Sequence, residues 1–136
     1  MNIDKPLKIM IVDDEKGITR CFKEYFSRKG FVVFEVNDGK SAIEIFEKER
    51  PRICFIDVWM ASGTHEGVDI LKRIKEIEES VYCIMMGPCS DEENTAIRLK
   101  ELGALHFING RLDIEDFYRY IKEVKGIIFK NNSSKH

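Results

Sequence analysis

The sequence predicts a single α/β domain built on a doubly wound, five-stranded parallel sheet in the order 2-1-3-4-5. Three observations predict it. Strand-like and helix-like runs alternate five times along 136 residues, the size of one ordinary domain. The central strand-like run, residues 53–58, is nearly all apolar, as expected of a parallel strand covered on both faces. Right-handed crossovers then leave few topologies, and five such units fit this one.

The elements follow in order. Residues 7–12 form a short apolar run between Pro6 and the pair Asp13-Asp14. Ile18, Cys21, Phe22, Tyr25 and Phe26 repeat at helical spacing, and Gly30 is a stop signal. Residues 31–36 are β-branched and aromatic, hence a second strand. Asn37-Asp38-Gly39 is a turn signal. Ala42, Ile43 and Phe46 then mark one helical face that Pro51 ends. After the central strand, Val68, Leu71, Ile74 and Ile77 mark the third helix, and residues 81–86 form the fourth strand. Asp91 caps a helix carrying Ala96, Leu99 and Leu102, stopped by Gly103. Residues 104–108 are the fifth strand. Asp113 caps the last helix, with Glu115 and Asp116 in its first turn and Ile114, Phe117, Ile121 and Val124 as its buried stripe. The domain is expected over residues 1–129, with a flexible tail over 130–136.

Composition excludes several classes. Apolar residues make up 43% and charged residues 34%, enough for one core and a soluble surface. No apolar run approaches the ~20 residues of a membrane helix. The first residues carry no signal-peptide stretch, so a cytoplasmic location is expected. A formal net charge of −2 gives no broad basic field, so no direct nucleic-acid partner is expected. No second compositional block suggests a fused DNA-binding domain, so output is expected through a partner protein. Cys21, Cys54, Cys83 and Cys89 have neither C-x-x-C nor metal-ligand spacing, and Cys54 and Cys83 lie in core runs.

In this topology ligands sit at the strand carboxyl ends, near the switch point between the first and third strands. Asp13, Asp14 and Glu15 follow the first strand, and Asp57 lies near the end of the third. Several carboxylates in one shallow pocket repel unless a cation or proton intervenes. An all-oxygen donor set suits Mg²⁺. A cation there also keeps Asp57 ionised and able to act as a nucleophile. Each feature alone has a plainer reading, as a helix cap, a solvated turn or a loop residue. Together, at the ends of adjacent strands, they are more specific.

These residues carry a resemblance. Residues 8–15, Lys-Ile-Met-Ile-Val-Asp-Asp-Glu, resemble the opening of the receiver domain of bacterial two-component response regulators. Residues 57–60, Asp-Val-Trp-Met, resemble its phosphoacceptor strand end. Gly67-Val-Asp-Ile-Leu71 resembles the start of its third helix, and Asp91-Glu-Glu93 and Gly103-Ala104 also match. The resemblance spans residues 7–128 and implies the flavodoxin-like fold of that CheY-like superfamily. It implies that Asp57 accepts a phosphoryl group from a histidine kinase, a phosphotransfer protein or a small acyl phosphate. It implies that Asp14, Asp57 and the Trp59 backbone carbonyl hold Mg²⁺, with Asp13 acting through water. It assigns Phe107 to the switch aromatic. It also implies a downstream protein partner and a possible homodimer through the fourth helix, fifth strand and fifth helix, a face that includes Phe117, Tyr118 and Tyr120.

Four departures stand against the family pattern. Gly87 replaces the usual Thr or Ser at the fourth strand end, and Pro88 follows with no N–H. Gly110-Arg111 replaces Lys-Pro after the fifth strand. The segment from Met60 to Gly67 lacks the usual proline and is two residues longer. Ser62 or Thr64 stands as a candidate replacement hydroxyl, Arg111 as a candidate replacement cation and His65 as a candidate pocket residue. The plainer reading of each is a solvated loop residue. A charge-assisted hydrogen bond contributes about 1.5–3 kcal/mol. The losses therefore weaken any phosphate-driven switch, which needs about 5.5 kcal/mol of differential binding to invert fully.

Three alternatives to a phosphorylated receiver remain. One is a receiver-like interaction module that works without phosphorylation. Another is a small Mg²⁺-dependent phosphohydrolase, which lacks a general acid because position 59 is Trp. The last is a flavin protein, which Asp13-Asp14-Glu15 disfavours by repelling phosphate. An enzyme is not expected.

Overall fold

The computed structural model describes residues 5–60 and 66–133. Ser62, Thr64 and His65, and residues 134–136 of the expected tail, lie outside the described residues. Along the chain run β1 (Lys8–Val12), α1 (Lys16–Arg28), β2 (Val32–Val36), α2 (Gly39–Glu49) and β3 (Ile53–Asp57). Then follow α3 (Glu66–Ile77), β4 (Tyr82–Gly87), α4 (Glu92–Glu101), β5 (His106–Asn109) and α5 (Ile114–Ser133). The five strands are all parallel, in the order β2-β1-β3-β4-β5. The predicted fold class and strand order are both observed.

Strand alternation divides the core into two layers. In β1, Met10 and Val12 face the α2–α3–α4 side with Phe46, Leu71, Ile74 and Leu99. Ile9 and Ile11 face the α1–α5 side with Phe22, Phe26, Phe117 and Val124. Both faces are buried, which is why β1 and β3 lack a polar alternation. On the α1–α5 side the rings of Phe22 and Phe117 meet edge-on at 4.9 Å, and Phe55 and Phe117 at 5.0 Å. Cys54 and Cys83 are register partners buried on the other side, as expected of small core residues.

Helix ends differ from the sequence expectation in detail. Asp38, expected only as part of a turn, is the α2 N-cap, its Oδ1 accepting from the Ser41 N–H at 2.8 Å. Those bonds hold its carboxyl below the usual carboxylate range. Asp113 accepts from the Asp116 N–H at 2.8 Å while Asp116 accepts from the Asp113 N–H at 3.3 Å, a reciprocal box. Helix α5 runs on through Lys130 to Ser133, past the expected start of the tail, because residues 127–133 contain no Gly or Pro to stop it. Phe117 is 3% exposed and belongs to the core, so of the three aromatics on the expected dimer face only Tyr118 and Tyr120 are partly accessible.

Candidate functional site

Register brings the acidic residues together. Val12 pairs with Ile56, which sets Asp13 and Asp57 level at the carboxyl edge of β1 and β3. Carboxylate oxygens of Asp13, Asp14 and Asp57 all lie within 4.8 Å of one another. Asp13 is buried, Asp14 and Asp57 are half-buried, and Glu15 is exposed.

Each carboxylate has a local hold. The Glu15 N–H donates to Asp13 Oδ1 at 2.9 Å, and the Trp59 N–H donates to Asp57 Oδ1 at 3.1 Å. The Asp13 carbonyl accepts from Asn37 Nδ2 at 2.8 Å. That amide also donates to Thr19 Oγ1 at 2.9 Å, and Thr19 is fully buried. Asn37 and Thr19 are therefore positioning residues that the sequence reading missed. In the sequence Asn37 is only part of a turn signal, and only the packing of α1 on the sheet puts Thr19 beneath it.

Burial and mutual repulsion dominate the electrostatics. Desolvation raises the Asp57 pKa from 3.8 to about 7, with the charges of Asp13, Asp14 and Glu15 adding to it and the Trp59 N–H opposing. Desolvation likewise raises Asp13 to about 6, opposed by the Glu15 N–H. The pocket thus stores unfavourable negative charge. Three closely spaced, partly desolvated carboxylates fit a hard divalent cation, which would relieve that charge with oxygen donors.

Two glycines shape the rim. A Cβ on Gly67 would lie 2.0 Å from the Asp57 carbonyl oxygen and 2.7 Å from Val58 Cα, so the start of α3 presses backbone to backbone on the end of β3. The Gly67 N–H donates to the Val58 carbonyl at 3.2 Å across this contact. Gly87 ends β4 at φ +144°, a conformation that favours glycine. A Cβ there would stand 3.3 Å from Asp57 Oδ1 and 3.1 Å from Trp59 Cδ1. The Trp59 indole therefore fills space beside Asp57 that a side chain at position 87 would otherwise use.

The remaining expected residues divide. Phe107 is partly buried against the α2–α3–α4 core layer, in register with Met85 of β4. Arg111 does not reach Asp57. Its Nη2 lies 3.2 Å from Glu15 Oε1 in an ion pair exposed at both ends. The loops after β4 and β5 are tied together instead. The Gly110 N–H donates to the Gly87 carbonyl at 3.2 Å, and the Asn109 side chain bonds both the N–H (2.9 Å) and the carbonyl (3.2 Å) of Cys89.

Comparison with known proteins agrees with this fold. The fold superposes on a CheY-like response regulator receiver domain protein from Methanospirillum hungatei JF-1, with a TM-score of 0.82, 22% identity, and 93% of this chain and 99% of that one covered. It also superposes on the receiver domain of NtrX from Brucella abortus, with a TM-score of 0.74, 24% identity, and 85% and 95% covered. The sequence is 35% identical over 116 residues to sporulation initiation phosphotransferase F of Bacillus subtilis, covering 85% of this chain and 91% of that protein. It is 30% identical over 97 residues to the alkaline phosphatase synthesis transcriptional regulatory protein PhoP of the same organism, of which it spans 39%. Residues 9–122 match the family model of the response regulator receiver domain. With the match running from the first strand into the last helix, the chain belongs to the response regulator receiver domain family, a module of two-component signalling.

Proposed function

We propose that this domain takes a phosphoryl group onto Asp57 in an Mg²⁺-dependent reaction and signals through protein contacts. The observation that carries the reading is the convergence of three carboxylates within 4.8 Å at the carboxyl edge of the sheet. Asp14, Asp57 and the Trp59 backbone carbonyl would hold Mg²⁺, with Asp13 assisting through water. Bound there, Mg²⁺ supplies the positive charge that offsets the carboxylates and the incoming phosphoryl oxygens.

Asp57 Oδ2 attacks phosphorus as the P–N bond of a phosphohistidine, or the P–O bond of a small acyl phosphate, breaks. The leaving group keeps that bonding pair, and an acyl phosphate forms on Asp57. The nucleophile must be ionised, which the raised pKa of Asp57 opposes near neutrality unless positive charge enters the pocket. The Trp59 N–H donates to Oδ1 at 3.1 Å and so restrains the rotation of the carboxylate. The donor is a histidine kinase or phosphotransfer protein, the receiver of the signal is a second protein, and the chain is not itself a turnover enzyme. Incubation with acetyl phosphate and Mg²⁺, read by intact mass, should add one phosphoryl group to the wild type and none to Asp57→Asn. Unlabelled wild type, with a cognate kinase also tested, would sink the reading.

A second reading, a receiver-like module working without phosphorylation, is favoured by the tie between Gly87 and Gly110. These positions offer the site neither a hydroxyl nor an ammonium. On this reading partner binding survives Asp57→Ala, and its loss in a folded variant would exclude it.

A further inference from the structure

The carboxylate pocket occupies one end of the sheet, and the opposite end carries a cavity of ≈ 580 Å³ with reversed charge. It opens among the start of β1, the α1–β2 and α2–β3 connections and the end of α5. Six cations line it, Lys5, Lys8, Lys29, Arg50, Arg52 and Lys125, against the single carboxylate of Glu49. The whole chain has a net charge of −2, so this is a strong local excess. Lys8 is paired with Glu49 at 3.2 Å and Arg50 with Glu78 at 3.7 Å. Lys5, Lys29, Arg52 and Lys125 have no ion-pair partner among the described residues.

The rest of the wall is largely apolar, with Pro6, Leu7, Phe31, Ile128 and Phe129 beside Gly30 and the polar Asn132. Phe129 is 72% exposed, unusual for a phenylalanine. Lys125 Nζ sits 5.5 Å from the centre of the Phe31 ring, so a cation and an aromatic face already stand together.

Size and charge density select the ligand class. The volume is that of a small-molecule site. An extended acidic peptide spaces carboxylates on one face by about 7 Å, so few of them would enter. Linked phosphates carry comparable charge only a few ångströms apart, and a nucleobase adds a flat face that stacks on aromatic rings.

We propose that this cavity binds a nucleoside polyphosphate, its phosphates on Lys5, Lys29, Arg52 and Lys125 and its base against Phe31 and Phe129. The site is independent of phosphorylation at Asp57.

The test titrates ATP without Mg²⁺ at physiological salt into the whole chain, read by calorimetry and by backbone amide shifts. Tripolyphosphate and a glutamate-rich peptide serve as comparison probes. ATP should saturate and shift the amides of Gly30, Phe31 and Arg52. Tripolyphosphate should bind more weakly, and the peptide more weakly still. Arg52→Gln with Lys125→Gln should weaken ATP about tenfold or more, since two phosphate contacts are lost. Lys72→Gln with Arg98→Gln, exposed cations elsewhere, should leave it unchanged. Should the double variant fail to give a folded amide spectrum, Lys125→Gln alone carries the same comparison. Absence of saturable ATP binding overturns the proposal. So do equal losses in both double variants, shifts confined to the Asp13 and Asp57 end, or tighter binding of either comparison probe.

Discussion

Asp57→Asn should make the metal-free protein more stable, and only at neutral to alkaline pH. The Asp57 pKa is about 7 in the fold against 3.8 for an ordinary aspartate. Each unit is worth about 1.4 kcal/mol, so full ionisation in the fold costs at most about 4 kcal/mol. The side chain is half-buried, and solvent screening reduces this to about 2 kcal/mol. Between pH 3.8 and about 7 the folded protein holds a proton that the unfolded chain has released. Stability therefore falls as pH rises through that window, and the whole cost is present above it. Asparagine has no such proton, yet its Oδ1 still accepts the Trp59 N–H. Urea unfolding should thus show the variant ahead by about 2 kcal/mol at pH 8 and by less than about 1 kcal/mol at pH 5, with similar m-values. Saturating Mg²⁺ should narrow the pH 8 gap by stabilising the wild type more. A variant no more stable than wild type at pH 8, or a gap that does not shrink by pH 5, would refute the electrostatic account of the pocket.

Gly67→Ala should destabilise by about 3 kcal/mol or more in urea unfolding, because its Cβ has no room beside the Asp57 carbonyl and the obstruction is backbone. Gly87→Thr should not rebuild a family-like site. Position 87 is at φ +144°, and the new side chain would crowd Trp59 and Asp57. A loss of about 1–3 kcal/mol is expected, with no gain in acetyl phosphate labelling, and addition of Trp59→Ala should recover part of it. Phe22→Ala, which empties the aromatic cluster with Phe26, Phe55 and Phe117, should cost about 3–5 kcal/mol by urea unfolding while leaving the carboxylate cluster in place.

Much of the fold is local and therefore legible in the chain. Apolar runs at residues 7–12 and 53–58, helical spacing from Ile18 to Phe26 and stops such as Gly30 specify the elements. Their alternation, with the handedness of crossovers, specifies the sheet order. That order alone places Asp13, Asp14 and Asp57 at one edge. Strand and helix ends were less legible, because the last residues of an element depend on partners in other elements. β5 begins at His106, two residues later than its apolar run, and α5 extends to Ser133.

The tertiary structure decided what depends on distance between remote segments. Arg111 is level with the acidic pocket in sequence terms, yet it pairs with Glu15 across 96 positions and leaves Asp57 alone. Gly87 could be recognised as a missing hydroxyl. That the Trp59 indole occupies the adjoining space, and that Gly110 ties back to the Gly87 carbonyl, are facts of packing. Asn37 and Thr19 became supports for Asp13 only when α1 and β2 closed around β1. The basic cavity has the same origin. Its cations come from four separate stretches of a chain whose total charge is slightly negative, and only the parallel sheet gathers them at one end. Periodicity encodes which faces are buried, whereas charge and close contact are set by where the topology brings those faces together.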